Sequence, residues 1–162
     1  MREFENARSR LRRLDPGARL VYTAFLVFTA AGVVTAALLH GDGMGVEPDT
    51  AALYWAGDEE GMAFPKSYRQ LLELTHFHLF TEPVTWLVLA HLYNLGGDPA
   101  RRRGLVTVGT LVTMTLQIAL PWGVVYGSTQ LAMLLIPVHV LLGVGFLYMI
   151  GASLWEMWGP GS

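Results

Sequence analysis

The sequence contains no cysteine, and only 15% of its 162 residues are charged. The absence of cysteine excludes disulfides, thiolate metal sites, iron–sulfur clusters and covalent attachment of c-type haem. A soluble domain carries about 25% charged residues, so the low charge and the 52% hydrophobic content are typical of a membrane protein. The net charge of -2 gives no electrostatic basis for binding nucleic acid.

Four stretches have the length and composition of membrane-spanning helices. A helix crosses the bilayer with about 20 apolar residues, and four ranges meet this requirement: 20–39, 74–95, 105–122 and 131–155. The sequence therefore predicts an all-α fold, a four-helix transmembrane bundle that forms one domain over residues 19–158. A basic segment at 1–18 precedes this domain, and a long loop over 41–66 joins helices 1 and 2 of the bundle.

The distribution of Lys and Arg predicts the orientation of the bundle. Nine of the eleven basic residues precede the first span or lie between the second and third, and only Lys66 and Arg69 lie on the opposite side. Cytoplasmic segments carry the excess of Lys and Arg. We therefore expect both termini to be cytoplasmic and the acidic loop over 41–66 to be outside, which suits a protein of the bacterial inner membrane.

The outer loop has two interpretations. Residues 51–55 are apolar and aromatic, so they either pack on the bundle or lie in the membrane interface, or they belong to a partly ordered acidic loop. Gly41, Gly43 and Gly45 indicate a flexible exit from the first helix. Pro65 is expected to lie in the first turn of the second helix.

The five histidines are the main candidates for a functional site. All of them lie within or at the end of a predicted span: His40, His76, His78, His91 and His139. Ionisable residues inside membrane spans are rare and are usually functional. Because the chain lacks cysteine, imidazole is its natural strong ligand for iron, copper or zinc.

Depth in the membrane selects which histidines can meet. At 1.5 Å per residue, His139 lies about 24 Å above the inner boundary, close to His76 and His78 at about 28 and 25 Å. His40 lies about 31 Å and His91 about 6 Å above the same boundary. We therefore expect His139 to pair with His76 or His78, and His40 to lie at the outer rim. Residues two apart on a helix point about 200° apart, so His76 and His78 cannot both bind one iron atom.

The segment from Thr75-His76-Phe77-His78 to Leu89-Ala90-His91 resembles the b-type cytochromes of respiratory membranes. Their four-helix cores carry two histidines on one helix, one for each of two stacked haems. The resemblance implies a haem b, or two, with His76, His78, His139 and His91 as candidate ligands. It also implies electron transfer from a quinol to an external acceptor such as a c-type cytochrome, or within a larger redox complex. The family pattern requires a second such pair, and this chain supplies only His139 in the fourth span.

Two other classes of function remain open. The first is a non-haem site for copper, zinc or iron, with ligands drawn from the outer half of the bundle: His40, His76, His78, Glu82 and His139. The second is a cofactor-free structural subunit of a redox or photosynthetic membrane complex. Glu82 follows His78 by one helical turn, so it is a candidate metal ligand, a partner that orients a ligating histidine, or a proton relay, or else a group that caps a kink at Pro83. Thr110, Thr113 and Gln117 share one helix face and are expected to point into the bundle.

Overall fold

The computed structural model describes residues 11–58 and 62–159, and within these ranges the fold is helical, without strands. Five α-helices follow one another: α1 (Pro16–Gly43), α2 (Pro48–Ala56), α3 (Tyr68–Asn94), α4 (Ala100–Tyr126) and α5 (Leu135–Trp158). Two 3-10 turns, at Leu11–Arg13 and Thr129–Leu134, precede α1 and α5. Residues 1–10 of the basic segment and 59–61 of the loop lie outside the described residues.

Three of the four long helices are apolar enough to cross a membrane. These are α1, α4, and α5 together with the 3-10 turn before it. The predicted second span appears as α3, which has 27 residues and is therefore about 40 Å long. Its composition is less apolar because it carries six ionisable residues: Arg69, Glu73, His76, His78, Glu82 and His91.

The helix ends differ from the sequence prediction at two places. α1 continues to Gly43, so the glycines at 41 and 43 are helical rather than a flexible exit. α3 begins after Ser67 rather than at Pro65, because Ser67 and Gln70 form a reciprocal capping box that satisfies the first free backbone N–H groups. α2 packs on the bundle, with Trp55 buried against the 3-10 turn that precedes α5.

α1 and α5 run antiparallel and place both ends of the described chain together. Trp158 in the last turn of α5 donates a hydrogen bond to Thr23 near the start of α1, at 3.0 Å. At the opposite end, His40 of α1 contacts His139 of α5. We call the end that holds Arg12 and Trp158 the terminal end, and the end that holds α2 and His139 the distal end.

The buried core has two parts, and α5 contributes to both. Toward the terminal end, Leu26, Tyr93 and Met149 are fully buried, and toward the distal end Leu71 and Leu135 are. Large apolar side chains cover much of the outer surface of the long helices, as a lipid-facing surface requires. α3 also exposes polar side chains, among them His76, His91 and the Arg69–Glu73 pair. Such helices associate through close packing rather than a hydrophobic drive.

The crossing of α4 and α5 shows this close packing. A Cβ at Gly145 would overlap the side chain of Thr110, so only glycine allows this approach. Thr110 is buried and accepts a hydrogen bond from the indole N–H of Trp86 at 3.1 Å. The prediction that the polar face of this helix points into the bundle is therefore confirmed for Thr110, and Gln117 on the same face bonds to α3.

Candidate functional site

A small cavity near the distal end brings together three of the five histidines. His40 of α1, His78 of α3 and His139 of α5 line it, together with Trp55 of α2 and Gln117 of α4. Its volume is about 20 Å³, which is room for one water molecule or one ion. All five helices therefore contribute a side chain to its wall.

His40 and His139 are in ring contact, with centroids 4.5 Å apart and ring planes tilted by 52°. The two rings meet although counting residues places the backbone of His40 about 7 Å above that of His139. Side chains on a helix lean toward its N-terminus. Because α1 and α5 are antiparallel, the imidazole of His40 leans toward the terminal end and that of His139 toward the distal end. The two rings therefore approach across the difference in height between their backbones.

The hydrogen bonds of these two rings leave the same nitrogen available on each. The Nδ1 atom of His40 lies 2.7 Å from the carbonyl oxygen of Ala36, and the Nδ1 atom of His139 lies 2.6 Å from that of Leu135. A carbonyl can only accept, so each Nδ1 carries the proton and donates it. In the neutral form of each ring the lone pair is then on Nε2, which is the form in which histidine binds a metal.

His78 has the same arrangement, with a carboxylate in place of the carbonyl. Its Nδ1 atom lies 2.7 Å from Oε1 of Glu82, one turn along α3. The side-chain amide of Gln117 donates a second hydrogen bond to the same oxygen. The other oxygen of Glu82, Oε2, is buried without a hydrogen-bond partner. A carboxylate behind an imidazole orients the ring and makes its free nitrogen a stronger ligand.

The remaining two histidines lie away from the cavity. His76 is exposed and its ring contacts Phe80 on the same helix, 4.9 Å between centroids. His91 is exposed near the end of α3, toward the terminal end. Of the two neighbours that the sequence could not separate, the structure therefore brings His78, and not His76, to the wall shared with His139.

Within residues 11–58 and 62–159, no three His, Asp or Glu side chains lie close enough together to hold a metal ion as they stand. The donor chemistry nevertheless fits a metal, since three imidazoles around one small cavity suit copper, iron or zinc. The same donors suit haem iron, but a porphyrin is far larger than a cavity of about 20 Å³. A haem would therefore require α1 and α5 to separate at this end.

A second polar cluster, which the sequence reasoning missed, lies at the terminal end. The hydroxyls of Tyr93 and Tyr148 donate to Oδ2 of Asp98 at 2.8 and 2.7 Å, and Arg102 donates to Oδ1 at 3.2 Å. Desolvation alone would raise the pKa of Asp98, but the hydrogen bonds from the two tyrosines and the charge of Arg102 outweigh it and lower the pKa. The only sequence signal was Asp98 in a short loop between two long helices.

The depressed pKa of Asp98 predicts an acid-dependent loss of stability. The stabilisation is complete above the unfolded-state pKa of about 3.9 and is lost as the pH falls through the lower folded-state value. We expect Asp98→Asn to lower the free energy of unfolding by roughly 1.5–3 kcal/mol at pH 7, since each hydrogen bond to a charged group contributes on this scale. Thermal unfolding in detergent between pH 3 and 7 measures this, and the exposed Asp42→Asn is the control. A variant that unfolds like the wild-type protein at pH 7 would refute the prediction.

These features define an all-helical integral membrane protein with a polar cluster inside the bundle. Residues 45–162 match the model of one family, described as a transmembrane helical domain (Aq_1264_TM), and the chain belongs to that family. The matched range contains α2 to α5, and with them His78, Glu82 and His139, whereas His40 precedes it. No curated protein and no solved structure matches the chain.

Proposed function

We propose that this protein binds a metal ion at the distal end of its bundle and, with copper or iron, transfers electrons there. The observation that supports this function is that His40, His78 and His139 come from three helices to one cavity, each with Nδ1 bonded to an acceptor. Each ring therefore offers Nε2 as a ligand. His78 has to move toward the other two rings before three imidazoles can bind one ion, since they do not stand close enough in the described residues.

The contact between His40 and His139 favours a non-haem ion over a b-type haem held by this pair. Two axial ligands of haem iron lie on opposite faces of the ring, with metal–nitrogen bonds of about 2.0–2.1 Å, so their nitrogens alone are about 4 Å apart. The ring centroids would then be farther apart than the observed 4.5 Å. Two imidazoles side by side on one ion place their rings in contact, as here.

Glu82 supports the same proposal because it bonds to the far side of His78, a proposed metal ligand. Its Oε1 atom fixes His78 and Gln117, and its buried Oε2 atom lacks a partner. A buried carboxylate is costly unless a positive charge lies near it. A divalent ion held by His78 would supply that charge, and the carboxylate would in turn stabilise the ion.

We also propose that α3 is a fourth membrane span and that both termini are cytoplasmic, in a bacterial inner membrane. The packing of α3 against α4 and α5 and the bias of Lys and Arg toward the terminal end support this orientation. Because the protein has no cysteine, single cysteines report topology without interference. In intact cells we expect an impermeant maleimide to label Phe64→Cys but not Arg101→Cys. Labelling of both, or of Arg101→Cys alone, would contradict the orientation.

A metal site at the distal end of the bundle would limit which molecules can exchange electrons with it. A quinol in the membrane is the natural donor, and an external acceptor such as a c-type cytochrome, or a subunit of a larger complex, would meet the distal end. Acidic residues stand there: Asp42, Glu47, Asp49 and Asp58. Opposite charges on a basic partner would accelerate the encounter.

Metal analysis and a visible spectrum of the purified protein test the proposal. We expect about one copper, iron or zinc ion per chain and no Soret band. A Soret band that shifts on reduction would show that the cofactor is haem and not a non-haem ion. A colourless protein without stoichiometric metal, purified with larger subunits, would instead support a structural role in a membrane complex.

The carboxylate behind His78 should matter for affinity. We expect Glu82→Gln to weaken metal binding by about 10- to 100-fold, as is usual when a residue that orients a metal-binding histidine is changed. Glu73→Gln on the same helix is the matched control, since Glu73 is exposed and pairs with Arg69 instead. Competition with a chelator of known affinity measures both. Equal affinities for the two variants would show that Glu82 does not support the site.

A further inference from the structure

A large cleft opens at the terminal end, at the opposite end of the bundle from His40, His78 and His139. It has a volume of about 900 Å³ and lies between the loop joining α3 to α4, the face of α5 and the 3-10 turn before α1. This volume is within the range of ligand sites. Because the cleft adjoins the ends of membrane helices, it lies where lipid headgroups meet the protein.

One wall of the cleft is polar, and each carboxylate in it is paired with an arginine. Nε of Arg12 lies 3.2 Å from Oε1 of Glu156, and these side chains are 32% and 13% exposed. The carboxylate of Asp98 is already bonded to two tyrosines and to Arg102. The adjoining Arg12 and Glu156 thus present one charge of each sign to the cleft, which suits a headgroup that also carries one charge of each sign.

The other wall is apolar and continues onto the lipid-facing surface of α5. Leu147, Gly151 and Trp155 succeed one another at four-residue intervals and therefore share one face of the helix. Gly151 leaves a notch between the two larger side chains, since a Cβ added there would meet nothing within 4 Å. An acyl chain can lie along this face with its headgroup at the polar wall.

We propose that this cleft binds one phospholipid with an ethanolamine headgroup. The phosphate binds the guanidinium N–H groups of Arg12 that Glu156 does not use. The primary ammonium donates to the carboxylate of Glu156, which a choline headgroup cannot do because it lacks N–H groups. The upper part of one acyl chain fills the notch at Gly151. This site is independent of the metal centre.

Native mass spectrometry of the delipidated full chain, with defined lipids added back, tests the proposal. We expect one phosphatidylethanolamine per chain, bound about tenfold more tightly than phosphatidylcholine or phosphatidylglycerol of the same acyl chains, the effect of about one charge-assisted hydrogen bond. Equal binding of the three lipids would overturn the proposal, as would tight binding of an uncharged amphiphile such as a quinone in place of all three.

Gly151→Leu should abolish the tight site by filling the notch. Gly32→Leu on α1 is the matched control, because Gly32 is also an exposed helical glycine with nothing near its Cβ position. Wild-type binding in Gly151→Leu, or equal loss in both variants, would contradict the assignment.

Glu156→Gln provides a test that does not depend on filling the cleft. The change removes one negative charge and leaves Arg12 unmatched, so the polar wall becomes more positive. We expect the preference to change from phosphatidylethanolamine to the anionic phosphatidylglycerol. A preference that does not change would show that Glu156 does not bind the ammonium.

Discussion

The His139→Ala variant is expected to retain less than about a tenth of the metal that the wild-type protein binds. His139 belongs to the wall of the distal cavity and contacts His40, so its loss removes one ligand and the neighbour that holds a second ring in place. Changing a residue behind a ligand costs 10- to 100-fold in affinity, and removal of a ligand itself should cost at least as much. Metal content per chain after gel filtration measures the effect.

The matched control for this variant is His91→Ala, because His91 is exposed and lies toward the terminal end of α3. It should bind metal like the wild-type protein. Both variants should show the same helical content by circular dichroism, which separates loss of the site from loss of the fold. Full metal content in a folded His139→Ala protein would show that α5 provides no ligand to the metal.

The two neighbouring histidines of α3 should behave in opposite ways. We expect His78→Ala to lose the metal to a similar extent as His139→Ala, whereas His76→Ala keeps it. The two residues are two positions apart, but only His78 lines the cavity and bonds to Glu82. His76 instead contacts Phe80 at the exposed surface. Metal titration of the two purified variants compares them directly.

This pair is informative because the two variants differ only in which face of α3 they alter. Each removes one imidazole from the same part of one helix, so a general effect on stability or insertion would appear in both. If His76→Ala loses the metal and His78→Ala retains it, α3 binds the metal through the opposite face from the one that lines the cavity. If both retain it, α3 provides no ligand.

The positions of the long helices follow from the sequence because apolar runs of sufficient length can only be buried in lipid or protein. All four predicted stretches appear as helices, and three of them are apolar enough to span a membrane. For α3, composition does not decide whether the helix spans the membrane, because the polar side chains of the proposed site lower its mean hydropathy. The end of α1 was misplaced because glycines suggested a flexible exit, whereas the helix runs on to Gly43.

The site was only partly predictable. Residue numbers give only the height of the backbone, and they place His40 above His139. They do not show that the side chains of antiparallel helices lean in opposite directions, which brings the two rings together. Spacing excluded joint use of His76 and His78, but the choice between them depends on the rotation of α3. That rotation is set by tertiary hydrogen bonds such as Trp86 to Thr110 and Trp122 to Thr75, which the sequence of α3 alone does not contain.

The most direct test of the central claim is X-ray absorption spectroscopy of the metal bound to the wild-type protein. We expect three imidazole nitrogens at about 2.0–2.1 Å from the metal, together with the outer-shell scattering of imidazole rings. In the His40→Ala variant, the metal that remains bound should show one imidazole fewer. A porphyrin signature, or a metal surrounded only by oxygen ligands, would contradict the claim that histidines of three helices share one ion.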